Sequence, residues 1–370
     1  MATDRQILGA PLVPPPRLTG VVNAVRRGLR GAHRRSAPPS MRVLEAMFGL
    51  FDNRVLGLLV DLGIPEALDR PQTAAELARR TGADPDGLGR MLRYAAGRGF
   101  LGAMGDGRYR ANDVTRVLRA DDVNSWRGWV EFGASDVFWD SWRHAGAAVR
   151  GESSGTQAAT GHPFFEYVTS VRPDVGRAFN EAMRAGAVVQ AVALAHGLDW
   201  NATTTVCDVG GGTGGALRHL LESNDHLRGA LFDLPEVVAE ADRALVDGTL
   251  AARCHIEGGS FFDAVPAEYD RYLLLAIVHD WDDERAIEIL RNVAAAVPAH
   301  GEVVVVESVL SDRPVDEFAA ASDLLMLVLA DGRERTDSEF RRLFTAAGLI
   351  CAARTPLATG FSAFRLRRTR

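Results

Sequence analysis

From residue 205 to the end of the chain, short apolar runs alternate with segments whose apolar residues recur at helical spacing. Apolar runs that are rich in β-branched residues and end at turn residues are typical of buried strands. Helical patterns separate the first five of these runs, which predicts a largely parallel sheet covered on both faces. The last two runs are close enough to form an antiparallel hairpin at its edge. The predicted strands are 205–209, 228–233, 253–257, 271–277, 302–308, 350–355 and 362–367.

The first half of the chain has a different pattern. Residues 41–68 are apolar on more than one helical face, which predicts helices that need a partner. Residues 72–110 predict two short helices, capped by Thr73 and Asp84, and then a hairpin, which is the order of a winged helix. Residues 123–195 are mainly helical and rich in aromatic side chains, which suit core packing and the wall of a pocket for a planar ligand.

These patterns divide the chain into four expected parts. A winged helix can bind DNA, here through Arg90, Arg93 and Arg98, or it can serve as a dimerisation platform. The long α/β segment that follows favours dimerisation. The four expected parts of the chain are therefore a flexible Pro/Arg-rich arm (1–40), a winged-helix dimerisation domain (41–122), a helical connector contributing to an acceptor pocket (123–198) and a catalytic domain (199–370).

Composition narrows the possible chemistry. The net charge of −6 argues against nucleic acid as a partner. The three cysteines are far apart and no His/Cys cluster accompanies them, so we expect no metal site. The chain contains no lysine, which excludes Schiff-base chemistry and a P-loop. We find neither a membrane-spanning apolar run nor a signal peptide, and we therefore expect a cytoplasmic protein without a membrane partner.

Polar or aromatic groups follow five of the predicted strands. Because the carboxyl ends of parallel strands meet at one edge of a sheet, these groups should share a ligand site. The glycines of the 210–215 loop, with Asp233 about 20 residues beyond, also fit a dinucleotide. Asp208 favours a ligand with an amino-acid tail over a dinucleotide. A carboxylate at this position would repel a pyrophosphate but could bind the ammonium group of such a tail. The other groups at this edge are Ser260-Phe261-Phe262, His279-Asp280-Trp281 and Glu307.

Five motifs, in order, carry a resemblance to a known family: DVGGGTGG, FDLP, GGSFF, HDWDDE and DGRERTDSEFRRLFTAAGL. Together they resemble the S-adenosylmethionine-dependent O-methyltransferases of the plant caffeate/isoflavone type and their bacterial relatives, which methylate polyketides and other antibiotics. The resemblance covers residues 41–370. It implies a Rossmann-like class I methyltransferase domain, S-adenosylmethionine as cofactor, a small aromatic acceptor and a homodimer formed through the N-terminal domain.

The resemblance also implies roles for individual residues. His279 matches the family's general base, and Glu307 and Glu334 match the acids that flank it. Two positions depart from the family pattern: Ser260 is commonly an aspartate, and Leu275 is often a lysine. Besides Asp208, the implied cofactor contacts are Gly210, Gly212, Asp233, Leu234, Ser260, Phe261 and Trp281, and the implied acceptor pocket contains Phe165, Met183, Leu325 and Met326.

We expect an O-methyltransferase that acts on a phenolic hydroxyl, because a histidine can remove the phenolic proton and so generate the stronger nucleophile. One alternative is a relative with the same fold and cofactor but other chemistry, such as hydroxylation or decarboxylation. A second is an NAD-dependent oxidoreductase, and a third is a DNA-binding regulator. Glu307 and Glu334 also have plain structural interpretations, as a cap or as partners of neighbouring arginines.

Overall fold

The computed structural model describes residues 16–122, 124–311 and 317–369. These residues form two compact units. The first consists mainly of Val21–Trp139 together with Arg177–Ala185, and the second mainly of Asp140–Gly176 together with Gly186–Arg370. The expected connector, 123–198, is therefore divided between the two units. Within the described ranges, no helix combines the length and the apolar character needed to cross a membrane.

The helices follow one another in both units. A π-helical turn covers Tyr167–Val171, and 3₁₀ turns cover Ala251–Arg253 and Val278–Asp280. The α-helices are α1 (Pro16–Ser36), α2 (Pro39–Asp61), α3 (Ile64–Ala67), α4 (Ala74–Thr81), α5 (Pro85–Gly97), α6 (Asp113–Val117), α7 (Arg127–Ala134), α8 (Asp136–Arg143), α9 (Ala145–Val149), α10 (Gly155–Thr160), α11 (Phe164–Glu166), α12 (Pro173–Gly197), α13 (Gly215–Ser223), α14 (Pro235–Val238), α15 (Arg243–Val246), α16 (Asp283–Ala296), α17 (Glu317–Leu329) and α18 (Asp337–Ala346).

The strands form three sheets. The order β1-β3-β2 belongs to a small antiparallel sheet in the first unit, and β9 and β10 form a short parallel pair in the second. The remaining seven strands form the main sheet. The strands are β1 (Gln72–Thr73), β2 (Gly102–Ala103), β3 (Arg108–Arg110), β4 (Thr205–Val209), β5 (Arg228–Asp233), β6 (Cys254–Gly258), β7 (Arg271–Leu275), β8 (Glu302–Glu307), β9 (Val309–Leu310), β10 (Arg335–Thr336), β11 (Leu349–Pro356) and β12 (Ser362–Arg368).

The first unit contains the predicted winged-helix order, α4, α5 and the β2–β3 hairpin. Thr73 and Glu76 form a reciprocal capping box at the start of α4. The Asp84 carboxylate accepts the Gly87 N–H at 2.7 Å and so caps α5. Both caps satisfy amide groups that a helix N-terminus leaves unpaired. A core that includes Leu59, Leu77 and Leu92, from α2, α4 and α5, holds the unit together.

Two helices at the N-terminus expose apolar side chains in the single chain. In α2, Met47, Phe48 and Phe51 are about half exposed. An apolar surface of this kind marks an interaction site. Residues 16–36, where we expected a flexible arm, form α1, and the first 15 residues of that arm lie outside the described residues.

The main sheet has the strand order β11-β12-β8-β7-β4-β5-β6. Strands β4 to β8 are parallel, whereas β12 runs antiparallel to β8 and β11 antiparallel to β12. The parallel core and the antiparallel edge hairpin were both predicted from the sequence. The chain reverses its direction of winding between β4 and β7, and ligands of open α/β sheets bind beside such a point.

The two faces of this sheet are buried in separate cores. Along β8, Val303 and Val305 pack in one core, while Val304 and Val306 pack in the other. All six residues of β8 are buried, which explains why the strand is almost uniformly apolar. Both faces of the sheet are thus buried against other elements, so a ligand site is expected at the carboxyl edge of the sheet.

Candidate active site

The loop after β4 is shaped by its glycines. Gly210, Gly212 and Gly214 have φ values of 71°, 60° and 89°, in the left-handed region where side chains are disfavoured. A Cβ on Gly210 would lie 2.5 Å from Ile277 Cδ1. The Gly210 N–H donates to the Phe232 carbonyl at 2.8 Å. The loop is therefore fixed against β5 and presents bare backbone beside the start of α13.

Asp233 ends β5 next to this loop. Its Oδ2 accepts the Gly212 N–H at 2.7 Å, and its Oδ1 accepts the Leu234 N–H at 2.7 Å. Burial raises the pKa of the Asp233 carboxyl, and these two hydrogen bonds oppose the rise. The predicted cofactor residues Gly210, Gly212, Asp233 and Leu234 are thus neighbours in the structure.

Asp208 lies beneath the same loop and is fully buried. Neither carboxylate oxygen forms a hydrogen bond with any described residue. A Cβ on Gly211 would come within 2.7 Å of its Oδ2, so the loop backbone passes directly over the carboxyl. Burial, and to a lesser extent the charge of Asp233, raise the pKa of Asp208 to about 7.

An aromatic cluster stands beyond the ends of β6 and β7. The Phe261 and Phe262 rings both meet Trp281 edge-on, with centroids 5.9 and 4.7 Å away. Phe165 stacks on Trp281 at 5.6 Å. The Ser260 Oγ accepts the Phe262 N–H at 3.2 Å, which orders the turn. The structure therefore joins three of the predicted cofactor residues, Ser260, Phe261 and Trp281, to the predicted acceptor residue Phe165.

His279 follows β7 after a sharp change of backbone direction. Ala276 has a φ of 55°, an uncommon value for a residue with a side chain. Its N–H still donates to the Val306 carbonyl at 3.0 Å, so the strand continues up to the turn. Strained backbone that the surrounding structure maintains is common at functional sites. Here it leads the chain into the 3₁₀ turn that carries His279.

Two buried glutamates face the same nitrogen of His279. The Nδ1 atom is 3.0 Å from Glu334 Oε1 and 3.5 Å from Glu307 Oε2. Glu307 is fixed at its other oxygen, which accepts the Ile277 and Val278 N–H groups at 3.1 and 2.7 Å. The Nε2 atom faces Asp280, whose Oδ1 is 3.5 Å away. Nδ1 is thus the anchored nitrogen, and Nε2 is the nitrogen available for chemistry.

The carboxylates determine the ionisation of His279. Burial alone would lower its pKa, but the charges of Glu307, Asp280 and Glu334 outweigh burial and raise the pKa to about 10. Burial raises the pKa of Asp280 to about 6 and that of Glu307 to about 7, although the histidine opposes both shifts. The imidazolium form is therefore strongly stabilised.

Several residues that hold this cluster were missing from our predictions. Ser322 Oγ donates to Glu334 Oε1 at 2.7 Å, and Asp323 Oδ1 accepts the Glu334 N–H at 2.9 Å. Arg335 is fully buried and donates to the Val278 and Trp281 carbonyls at 3.0 and 2.8 Å, on either side of His279. A Ser-Asp pair inside the otherwise apolar helix α17 was the available signal.

The remaining predicted acceptor residues lie on two helices. Leu325 and Met326 are on α17, one turn beyond Ser322 and Asp323. Met183 is on α12, in the segment that belongs to the first unit.

Ligand atoms of His279, Glu307 and Glu334 lie within 4.8 Å of one another, a grouping that could also hold a metal ion. Hydrogen bonds also hold these residues: His279 Nδ1 bonds Glu334, and Glu307 accepts the Ile277 and Val278 N–H groups.

The fold and this edge define a class of protein. A sheet of this order, with a glycine-rich loop after the central strand and a carboxylate ending the next, is that of a class I S-adenosylmethionine-dependent methyltransferase. The site fits this cofactor: the loop is open to close approach, Asp208 and Asp233 offer carboxyl groups, and aromatic rings stand beside them.

The comparisons with known proteins identify the family. The O-methyltransferase domain model matches residues 142–350, and the O-methyltransferase dimerisation domain model matches residues 44–121. The chain is 34% identical to the phenazine O-methyltransferase PhzM of Lysobacter antibioticus over 88% of this chain and 96% of that protein. The chain therefore belongs to the O-methyltransferase family.

Two solved structures of O-methyltransferases are similar to this chain, in agreement with the family assignment. The mitomycin 7-O-methyltransferase MmcR has a TM-score of 0.83 and 32% identity, covering 92% of this chain and all of that one. The O-methyltransferase NcsB1 from neocarzinostatin biosynthesis, in complex with S-adenosylmethionine and 2-hydroxy-5-methyl naphthoic acid, has a TM-score of 0.72 and 30% identity, covering 86% and 96%. The predicted fold, reaction class and cofactor are confirmed, and the chain carries the family's dimerisation domain.

Proposed function

We propose that this enzyme methylates a phenolic hydroxyl of a small aromatic natural product and that His279 is its general base. The observation that carries the proposal is the anchoring of Nδ1. Because Nδ1–H donates to Glu334 at 3.0 Å, the imidazole is held in the tautomer that leaves Nε2 able to accept a proton. An orienting carboxylate of this kind fixes both the tautomer and the direction of a catalytic histidine.

The buried carboxylates adapt His279 to a weakly acidic substrate. A phenol has a pKa near 10, so a base of ordinary histidine strength removes its proton uphill. Glu307, Glu334 and Asp280 stabilise the imidazolium and bring the two proton affinities closer together. His279 then keeps the proton at Nε2 while the acceptor oxygen is alkylated. General-base catalysis of this kind contributes ~10²–10⁴-fold.

The neighbouring residues would hold the two reactants in line. When bound, S-adenosylmethionine supplies an electrophilic methyl group on its sulfonium sulfur. As the family resemblance implies, we infer that the residues binding it are Asp208, Gly210, Gly212, Asp233, Leu234, Ser260, Phe261 and Trp281, and that those binding the acceptor are Phe165, Met183, Leu325 and Met326. Positioning of this kind is worth roughly 7–11 kcal/mol of a barrier, so loss of the base should leave measurable activity.

The comparisons support the acceptor class. PhzM is named for a phenazine and MmcR for mitomycin, and NcsB1 was crystallised with a naphthoic acid. Phenazine and naphthoic acid are both aromatic ring compounds, and NcsB1 is named as part of neocarzinostatin biosynthesis. The aromatic side chains around Trp281 suit a planar acceptor of this type.

Incubation with S-adenosylmethionine and a panel of hydroxyphenazines, naphthols and hydroquinones tests the proposal. Mass spectrometry should show a gain of one methyl group, and the ether should survive treatment that hydrolyses esters. Gain of oxygen or loss of CO₂ would indicate the hydroxylase or decarboxylase alternative. A parallel panel of aromatic amines tests whether nitrogen is methylated as well as oxygen.

The first unit fits dimerisation better than DNA recognition. Among the three candidate DNA-reading arginines, Arg98 donates through Nε to Asp52 at 2.7 Å and is therefore occupied within the unit. The dimerisation model covers the winged helix and most of α2. We propose a homodimer that does not bind nucleic acid. Light scattering should give twice the mass of one chain, and a DNA shift at low salt would contradict the second part.

A further inference from the structure

The hydrogen bonding of Asp208 differs from that of Asp233, the other carboxylate of the cofactor site. Asp233 accepts two backbone N–H groups, each of which favours the ionised form. Asp208 is completely buried, and neither of its oxygens has a hydrogen-bond partner among the described residues. The Leu217 N–H in α13 favours its ionised form but makes no hydrogen bond of normal geometry. A buried carboxylate without partners is costly, so such a group either holds a proton or meets a cation.

None of the described residues around Asp208 gives it a positively charged partner. On β5 its register partner is Leu231, and on β7 it is Leu273. Asp233, at the end of β5, carries a like charge that opposes ionisation. The nearby thiols of Cys207 and Cys254 have pKa values raised by burial and remain uncharged at neutral pH. The backbone of Gly211 lies directly against the carboxyl, since a Cβ there would come within 2.7 Å of Oδ2.

We propose that Asp208 is protonated in the cofactor-free enzyme and releases this proton when a positively charged cofactor binds above the loop. S-adenosylmethionine and its by-product S-adenosylhomocysteine both carry the ammonium and carboxylate groups of the amino-acid tail, but only S-adenosylmethionine also carries a sulfonium charge. The two ligands therefore differ by this one positive charge. The O–H bond of Asp208 breaks on binding of the first, and the proton passes to the buffer. After methyl transfer the sulfonium charge is gone, so the carboxylate recovers a proton and the by-product is bound less tightly. Asp208 thus favours cofactor over by-product by charge.

The assignment of a neutral Asp208 agrees with its pKa of about 7. The direction of the pH dependence follows from this value. Below it, binding the cation must displace a proton, which weakens S-adenosylmethionine but not S-adenosylhomocysteine. The ratio of their affinities should therefore increase as the pH rises towards about 7 and then become constant.

Isothermal titration calorimetry of the full-length protein in two buffers with different heats of ionisation measures the released protons. At about pH 6 we expect close to one proton per site for S-adenosylmethionine and far fewer for S-adenosylhomocysteine. Sinefungin, which has an ammonium group in place of the sulfonium, should behave like S-adenosylmethionine. This readout involves no acceptor and no turnover, so it is independent of the proposed reaction.

Asp208→Asn removes the titrating group and keeps its shape. We expect proton release to disappear and the preference for S-adenosylmethionine over S-adenosylhomocysteine to fall about tenfold, the effect of losing one modest charge–charge interaction. Asp270→Asn is the matched control, because Asp270 lies just before β7, accepts the Thr204 and Thr205 N–H groups at the opposite end of β4, and should not affect either result. Equal proton release for the two ligands, or release that persists in Asp208→Asn, overturns the proposal. If the variant does not fold, the affinity ratio of the wild-type enzyme as a function of pH decides: a ratio independent of pH overturns it.

Discussion

The pH dependence of methyl transfer should reveal the charge cluster around His279. Three carboxylates raise the pKa of this histidine from 6.5 to about 10. That change corresponds to about 5 kcal/mol of stabilisation of the imidazolium. Because the proposed mechanism requires unprotonated His279, kcat/KM should rise about tenfold per pH unit from neutrality towards about 10.

Glu307→Gln tests the source of this stabilisation. The amide can still accept the Ile277 and Val278 N–H groups, but the charge 3.5 Å from Nδ1 is lost. A unit charge pair at that separation is worth roughly 5 kcal/mol at an effective dielectric constant near 20. The two remaining carboxylates compensate for part of this loss. We therefore expect the inflection of the pH profile to move down by about 1–2 pH units.

The assay is kcat/KM against pH at saturating cofactor, with two acceptors whose phenolic groups differ in acidity. If the inflection reports the ionisation of His279, it occurs at the same pH with both acceptors. If it reports the ionisation of the phenol, its pH differs between the two acceptors. Glu302→Gln is the control, since Glu302 is a buried glutamate at the other end of β8 that bonds Arg271 at 2.6 Å. A wild-type plateau near 6.5, or an inflection unmoved by Glu307→Gln, would refute the reasoning.

Four further outcomes are expected. His279→Ala should lower kcat by ~10²–10⁴-fold and leave cofactor affinity measured by calorimetry unchanged, and an unchanged kcat would exclude it as the base. Gly332→Ala should reduce kcat at least about tenfold, because its Cβ would lie 2.3 Å from the His279 carbonyl, whereas Gly97→Ala, whose Cβ meets nothing within 4 Å, should be neutral. Met47→Asp should shift the dimer towards monomer in light scattering, and an unaffected dimer would place the interface elsewhere. Asp208→Asn should raise the free energy of unfolding by about 1–3 kcal/mol at about pH 8 but not at about pH 4, because a carboxyl whose pKa rises from 3.8 to about 7 on folding destabilises the protein increasingly across that interval; equal urea midpoints at both pH values would contradict this.

The main sheet could be predicted because its strands are buried on both faces. A run such as β8, Glu302–Glu307, has to be apolar to fit between two cores, and this requirement is visible in the sequence. The location of the site followed from the parallel arrangement of the strands. Helix α1 was not predicted, because the prolines and arginines of residues 1–40 obscure an amphipathic helix.

The supporting shell of His279 could not be predicted from local patterns. Ser322, Asp323 and Arg335 lie more than 40 positions beyond His279 in the chain, and their contacts with its cluster exist only after the sheet and α17 have packed. Likewise, the sequence supplies an imidazole and several carboxylates but not the burial that sets their ionisation. Distances and exclusion from water decide that, and both are tertiary properties.

The hydrogen bonds that Arg333 and Arg335 make around His279 have a consequence for heat inactivation. The histidine's own carbonyl accepts the Arg333 N–H at 2.7 Å, and the flanking carbonyls accept from Arg335. His279, the proposed base, is thus held by the segment that runs from the end of α17 into β10, outside the main sheet. Local opening of such a segment requires less free energy than global unfolding. Catalytic activity should therefore be lost on heating before the sheet melts, so that turnover reports on this loop and circular dichroism reports on the fold.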